Sequence, residues 1–218
     1  NDACGNHSVA YGRTSDHVLS LRGVLADGSV FEASAGGITV KGASSLVEPS
    51  TGSGVGEALA DIVTKILGAI RLELGRIPRQ VSGYHLHRLL PENGFDVAKM
   101  LVGSEGTLAV VTEATLRLVP RPVDSRLVVI GYPDLEVAAA DVPTILAHGP
   151  SAIEAMDHEI LAAVRDQGLI DRVGELPAGS SWLYVEVAAG ESFVSPSGVD
   201  AHPAVDLASR IDSLLADL

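Results

Sequence analysis

Cysteine and positive charge are both scarce in this chain of 218 residues, which contains a single cysteine, Cys4, and has 15 Lys and Arg against 28 Asp and Glu. One cysteine excludes an internal disulfide framework and a cysteine-ligated iron–sulfur cluster within the chain. No stretch approaches the roughly 20 apolar residues that span a bilayer, and no signal peptide is visible. We therefore expect a cytoplasmic location and no transmembrane segment.

The scarcity of positive charge is concentrated in the second half. Residues 1–120 carry 10 Lys and Arg against 12 Asp and Glu, whereas residues 121–218 carry 5 against 16. The acidic half repels nucleic acid and anionic membrane surfaces, while the near-neutral half can accommodate an anionic pyrophosphate. This charge pattern argues against nucleic acid as a partner.

Three polar blocks that contain glycine stand out in the first half. The first runs from Asn1 to Gly12, the second is Arg79–Leu86, and the third starts with Gly103-Ser-Glu-Gly106 and continues into an alternating strand. Glycine permits positive φ and a close approach of the backbone to a ligand. The third block therefore fits a nucleotide held by main-chain atoms, and a tight turn before a buried strand is the alternative.

Together and in this order, the three blocks resemble the FAD-linked oxidase family, whose fold is shared with vanillyl-alcohol oxidase. The resemblance is strongest to the branch of D-lactate, glycolate and D-2-hydroxyglutarate dehydrogenases, and it weakens after residue 120. It implies an α+β protein with a partial FAD-binding domain of the vanillyl-alcohol oxidase (PCMH) type over residues 1–120. Part of a ferredoxin-like cap domain would follow over residues 121–218, beyond the break at Pro120-Arg-Pro122.

The resemblance also implies which residues contact FAD. The expected cofactor-binding residues are Asn1, Asp2, Ala3, Cys4, Gly5, Tyr11, Arg79, Glu105, Gly106, Thr107, Leu108, Ala109, Val110 and Val111. A cation at Arg79 would stabilise reduced, anionic flavin, and the alternative is a solvated surface arginine. A packing role is favoured for Cys4, because no Lys or Arg adjacent in sequence activates its thiol.

Two histidines lie at the end of the second block, His85 within it and His87 just after it. His85 stands where the resembling enzymes usually have Asp, and it forms a His-x-His pair with His87. Since no third ligand lies at a suitable spacing, we expect no metal site here.

The hydrophobic pattern predicts the secondary structure around these blocks. Asp27-Gly28 predicts a hairpin over residues 17–33, the Gly- and Ser-rich stretch Ser34–Gly56 predicts a mobile surface loop, and a Leu/Ile stripe over Leu59–Leu74 predicts a helix that ends at Gly75 before Pro78. Strands are predicted over residues 107–118, 126–132, 151–156 and 182–188, and helices over residues 134–148, 157–167 and 200–218.

We therefore expect part of an FAD-dependent dehydrogenase that oxidises a small D-2-hydroxy acid such as lactate, glycolate or 2-hydroxyglutarate, with the catalytic residues and the electron acceptor unassigned. A non-catalytic ligand-binding or assembly module derived from a truncated oxidase is the alternative. The chain starts inside a motif at Asn1, and the family's first phosphate loop belongs upstream. We accordingly expect a fragment that binds FAD weakly or not at all by itself and that self-associates.

Overall fold

Two separate antiparallel sheets organise the chain in the computed structural model, which describes residues 1–42, 53–74, 76, 79–169, 173–189 and 206–218. Unit 1 comprises Asn1–Cys4 and Arg13–Leu118, and unit 2 comprises Gly5–Gly12 and Val119–Leu218. Both units combine helices with sheets, so the predicted α+β class is confirmed. The units divide close to residue 120, except that Gly5–Gly12 belongs to unit 2.

Unit 1 contains a four-stranded sheet of order β3-β2-β1-β4. Its strands are β1 (Val18–Val24), β2 (Val30–Ser34), β3 (Gly37–Lys41) and β4 (Val110–Leu116). The predicted hairpin at Asp27-Gly28 is confirmed, because β1 and β2 pair antiparallel up to Val24 opposite Val30. Gly28 takes a positive φ of 83° in its turn, and the Asp27 carboxylate accepts the Ser29 N–H at 2.9 Å.

The prediction of a loop from Ser34 to Gly56 is wrong at both ends. Gly37–Lys41 forms the edge strand β3, whose Ile38 and Val40 pack against the core. The Gly content of this stretch serves a tight turn, since Gly36 and Gly37 both have positive φ. The other end of the predicted loop is helical from Ser53 onward, and residues 43–52 lie outside the described residues.

The predicted amphipathic helix is confirmed as α3 (Ser53–Glu73), with non-helical dihedrals at Ile66. Val63 and Ile70 are buried, and they anchor α3 to the core of unit 1. The predicted helix end at Gly75 and Pro78 lies outside the described residues.

The remaining elements of unit 1 lead towards the third block. They are α2 (Thr14–His17), two 3-10 turns (Leu86–Leu89 and Pro91–Asn93) and α4 (Val97–Val102). The Asp96 carboxylate caps α4 by accepting the Lys99 N–H at 3.0 Å. Val97 and Ala98 are fully buried. This short helix therefore fixes the position of Gly103, which directly follows it.

Unit 2 contains a three-stranded sheet of order β5-β7-β6. Its elements are α1 (Ser8–Tyr11), β5 (Asp124–Tyr132), α5 (Leu135–Ala147), β6 (Ala152–Asp157), α6 (His158–Asp166), β7 (Ser181–Ala189) and α7 (Leu207–Ala216). The central strand β7 supplies the buried Leu183, Val185 and Val187 to the core. The predicted strands and helices of this half are confirmed with shifts of a few residues, while residues 200–205 of the last predicted helix lie outside the described residues.

Candidate functional site

The first block begins with a buried carboxylate in unit 1. Asp2 is 2 % exposed, and it accepts both the Ser15 N–H at 2.7 Å and the Ser15 hydroxyl at 2.9 Å. The Arg13 guanidinium lies 3.9 Å from the same carboxylate. These contacts compensate for the burial of a charge, and they hold the segment Asn1–Cys4 against the start of α2.

Cys4 and Arg79 join the first block to the second. Arg79 donates from Nη2 to the Cys4 carbonyl at 2.8 Å and from Nε to the Cys4 sulfur at 3.1 Å. No pattern in the sequence indicated this contact, because Arg79 is 75 residues from Cys4 along the chain but adjacent to it in the fold. The Arg79 side chain remains exposed, so its guanidinium can still meet an anion.

Two buried histidines lie at the end of the second block: His85 is within it, and His87 directly follows it. His85 is fully buried, and its Nδ1 lies 3.6 Å from Asp2 Oδ2. Burial lowers the pKa of His85 below its usual value, although the Asp2 charge opposes this shift. Burial and the neighbouring Arg88 charge lower the pKa of His87 to about 4. Both rings are therefore neutral at pH 7.

The third block is a turn rather than the beginning of a strand. Glu105 and Gly106 both have positive φ, 53° and 73°, and the Thr107 N–H donates to the Ser104 carbonyl at 3.0 Å. The prediction that the strand starts at Thr107 is wrong, because this turn delays β4 until Val110. We call Gly103–Thr107 the glycine turn. A Cβ at Gly106 would lie more than 4 Å from every described residue other than its two chain neighbours, so one side of the turn is open there.

The second and third blocks pack directly against each other. Tyr84 and Thr107 share a hydrogen bond of 2.8 Å between their hydroxyls. A Cβ at Gly103 would lie 3.0 Å from the Gly83 carbonyl and 3.0 Å from the His85 ring. Glycine at position 103 thus permits a close backbone approach. All three sequence blocks contribute to one cluster of contacts within unit 1.

Most of the predicted cofactor-binding residues are accessible. Those exposed in unit 1 are Asn1, Ala3, Arg79, Glu105, Gly106, Thr107, Leu108, Val110 and Val111. Asp2 and Ala109 are buried, and Cys4 is half-buried. Gly5 and Tyr11 belong to unit 2. The structure therefore connects Asp2, Cys4, Arg79 and Thr107 of the predicted set to one cluster of contacts, and contact of the set with FAD stays a prediction.

Sequence reasoning missed an ion pair and an arginine–carbonyl hydrogen bond that support this cluster. Arg88 donates to the Asp16 carboxylate at 3.0 Å, and Arg13 donates to the Gln80 carbonyl at 2.8 Å. Burial opposes ionisation of Asp16, yet the Arg13 backbone N–H and the charges of Arg13 and Arg88 lower its pKa below its usual value. The partners lie 72 and 67 residues apart in sequence, so no local pattern could reveal them.

Unit 2 has a polar cluster of its own that the sequence did not indicate. Glu186 on β7 accepts the Ser151 hydroxyl at 2.6 Å and lies 3.2 Å from His7 Nε2. The Ser151 hydrogen bond, and then His7, lower the pKa of Glu186, although burial opposes this. Burial and the Glu186 charge raise the pKa of Tyr11. The cluster fixes the segment Gly5–Gly12 against the sheet of unit 2.

None of the described helices has the length and apolar character needed to cross a bilayer. Within the described ranges, no three His, Cys, Asp or Glu side chains gather as ligands for a metal ion.

Comparison with known proteins shows which enzymes the chain is similar to. Residues 121–193 match the family of FAD linked oxidases, C-terminal domain. The chain is 29 % identical to a D-2-hydroxyglutarate dehydrogenase of Pantoea ananatis over 98 % of its own length, which is 21 % of that protein. It is 26 % identical to a D-lactate dehydrogenase of Archaeoglobus fulgidus, covering 98 % of this chain and 34 % of that one. For glycolate oxidase subunit GlcD of Bacillus subtilis the identity is 27 %, over 76 % of this chain and 25 % of that one.

These matches confirm the predicted resemblance. The chain is similar to FAD-linked oxidases, and it spans about a fifth to a third of the length of these three proteins.

Proposed function

We propose that this chain forms part of an FAD-dependent dehydrogenase that oxidises a small D-2-hydroxy acid. The observation that carries the proposal is the convergence of the three sequence blocks in unit 1, where Arg79 contacts Cys4 and Tyr84 contacts Thr107. Arg79 and Cys4 are 75 residues apart in sequence, and Tyr84 and Thr107 are 23 apart. Nothing in the local patterns of the blocks requires them to meet. A shared ligand surface explains why they do.

The residues of unit 1 fit a flavin nucleotide. The glycine turn is open beside Gly106, and the absence of a side chain at this position lets a planar or phosphorylated group approach its backbone. Arg79 provides an exposed, permanently positive guanidinium that is held in place by Cys4. We therefore assign unit 1 to the PCMH-type FAD-binding domain. We also propose a cytoplasmic location for the protein. When bound, FAD supplies the group that accepts a hydride from the substrate carbon.

The relatives narrow the substrate class. Their names specify D-2-hydroxyglutarate, D-lactate and glycolate, which share a hydroxyl group next to a carboxylate. The match of residues 121–193 to the C-terminal domain of FAD linked oxidases supports a substrate-facing role for unit 2. We propose 2-hydroxy acids of this size as substrates.

Anaerobic spectroscopy tests this function on the natural polypeptide that contains these 218 residues. The purified protein should show the absorbance of oxidised flavin at about 450 nm. Adding D-lactate, glycolate or D-2-hydroxyglutarate without oxygen should bleach this band, while the L-enantiomers of lactate and 2-hydroxyglutarate serve as matched controls. A bound flavin that none of these acids reduces would refute the substrate class. Absence of flavin after reconstitution with FAD would leave the non-catalytic module as the better account.

A further inference from the structure

His85 is the most deeply buried titratable group in the cluster of unit 1. It is fully buried, and within the described residues neither ring nitrogen makes a hydrogen bond of good geometry, although the Lys99 backbone lies near enough to favour the protonated ring. A buried imidazole without hydrogen bonds is costly, because each unpaired polar atom loses its hydration. Such a residue calls for an explanation beyond packing.

The two sides of the His85 ring face different sequence blocks. Nδ1 points towards the first block, 3.6 Å from Asp2 Oδ2. The opposite side faces the glycine turn, where a Cβ at Gly103 would lie 3.0 Å from Cε1 and 3.1 Å from Nε2. His85 thus lies between the start of the first block and the start of the third. A shift of its ring would change the separation of these two segments.

Several charged and titratable groups surround this ring. Asp2 and the backbone of Lys99 favour the protonated form of His85, whereas burial and the charges of Arg13 and Arg88 oppose it. His87 is the other titratable neighbour, with its ring centroid 5.5 Å away. Burial is the largest of these influences, so the imidazole is neutral and carries only one N–H. That single N–H can point towards the Asp2 carboxylate only if the proton is on Nδ1.

We propose that His85 is a positioning residue that directs an Nδ1 proton towards Asp2 and so fixes the segment Asn1–Cys4 relative to the glycine turn. This inference rests on the proposed function, since these two segments are the surface offered to FAD. Asp2 is already held by Ser15. His85 therefore links the glycine turn to Asp2, whose position Ser15 fixes. FAD would then bind a surface that is already in its binding conformation.

Nitrogen NMR of the 15N-histidine-labelled natural polypeptide tests the tautomer directly. We expect His85 to be neutral at pH 7 with its proton on Nδ1, and Asp2→Asn to shift the proton towards Nε2. A wild-type Nε2–H tautomer, donating towards the Lys99 backbone, would overturn the proposal. This measurement needs neither FAD nor turnover.

FAD affinity of four variants separates positioning from simple packing. His85→Asn places an amide N–H near the position of Nδ1, so its affinity should stay within about threefold of wild type, whereas His85→Leu and Asp2→Asn should each weaken binding about tenfold or more. His87→Leu is the matched control, because it also removes a buried histidine but should leave affinity within about threefold. Circular dichroism confirms that each variant is folded.

The outcomes are distinct. Equal losses for His85→Asn and His85→Leu, or for His85→Leu and His87→Leu, would show a packing role only and contradict the proposal. If the wild-type protein bound no FAD, both the proposed function and the claim that His85 prepares a surface for FAD would be wrong. The tautomer and its response to Asp2→Asn would still decide whether His85 fixes the segment.

Discussion

The hydroxyl groups of Tyr84 and Thr107 are 2.8 Å apart, which joins the second sequence block to the glycine turn. Thr107 also donates to the Ser104 carbonyl at 2.6 Å, so one threonine hydroxyl closes the turn and receives the tyrosine. The turn is therefore held from inside and from a neighbouring segment. This arrangement explains how an exposed loop with two positive φ values keeps one conformation.

Replacing Thr107 by Val should loosen the glycine turn. The substitution keeps the size of the side chain but removes both hydrogen bonds, at a cost of about 1–2 kcal/mol in unfolding free energy. Urea denaturation measures this loss. Thr64→Val is the control, because the Thr64 hydroxyl donates within its own helix, to the Ala60 carbonyl. Equal effects of the two substitutions would show that the Tyr84–Thr107 contact adds nothing to the turn.

Gly106 should reject most side chains for a conformational reason. Its φ is 73° while its surroundings are open, so Gly106→Val should cost about 1 kcal/mol or more in backbone strain. Gly106→Asn should cost less, since Asn tolerates left-handed φ. In the natural polypeptide, Gly106→Val should also weaken FAD binding. Unchanged FAD affinity in Gly106→Val would overturn the assignment of the turn to the cofactor.

The stability of unit 1 should fall as the pH drops from about 6.5 to 4. The pKa of His87 is lowered from 6.5 to about 4 in the folded chain, so the unfolded state binds the proton more readily. The unfolding free energy is highest above the pKa that His87 has in the unfolded chain. It decreases as the pH falls towards the folded pKa, by at most about 3 kcal/mol for this one group. His87→Gln should flatten the dependence on pH measured by urea denaturation.

The control for this pH dependence is His158→Gln, which replaces an exposed histidine. It should leave the pH profile unchanged. If His87→Gln and His158→Gln gave the same profile as wild type, burial of His87 would not explain the acid sensitivity.

Arg210 should be a major stabilising residue of unit 2. From α7 it donates to the carbonyls of His148 and Gly149 at 3.1 and 2.9 Å, and to that of Ala188. Arg210→Met retains apolar volume but leaves these acceptors unpaired, so unfolding free energy should fall by about 3 kcal/mol. Arg210→Lys should keep only part of the unfolding free energy that Arg210→Met loses, because an ammonium lacks the planar set of donors of a guanidinium.

Thermal or urea unfolding measures the loss at Arg210. Arg165→Met, at an exposed arginine of α6, is the comparison and should change stability by less than about 0.5 kcal/mol. Similar losses at the two positions would contradict a special role for Arg210.

The sequence predicts local structure well where a short pattern determines it. Asp27-Gly28 between alternating strands specifies its hairpin, and the stripe from Leu59 to Leu74 specifies α3. The prediction fails at β3 because the glycines around Ile38 outweigh a strand of only five residues. A glycine-rich stretch can be either a loop or a tight turn between strands, and composition does not distinguish them.

The candidate site shows a different limit of sequence reasoning. The three blocks are visible in the sequence, but the contacts Arg79–Cys4 and His85–Asp2 form between residues that are far apart in the chain. Their pairing depends on how α2 and α4 pack in unit 1, which no local pattern encodes. The sequence therefore indicated which blocks to examine, but it did not indicate which side chains pair with each other. That these residues bind FAD stays a prediction.

FAD titration of the natural polypeptide tests the central claim most directly. Flavin fluorescence and absorbance should report one FAD per chain, bound non-covalently, and Arg79→Gln should weaken binding about tenfold because it removes a charged donor and the hold on Cys4. Denaturation of the loaded protein should release the yellow chromophore into solution. No binding of FAD, equal affinity in Arg79→Gln, or colour that stays with the denatured polypeptide would contradict the account.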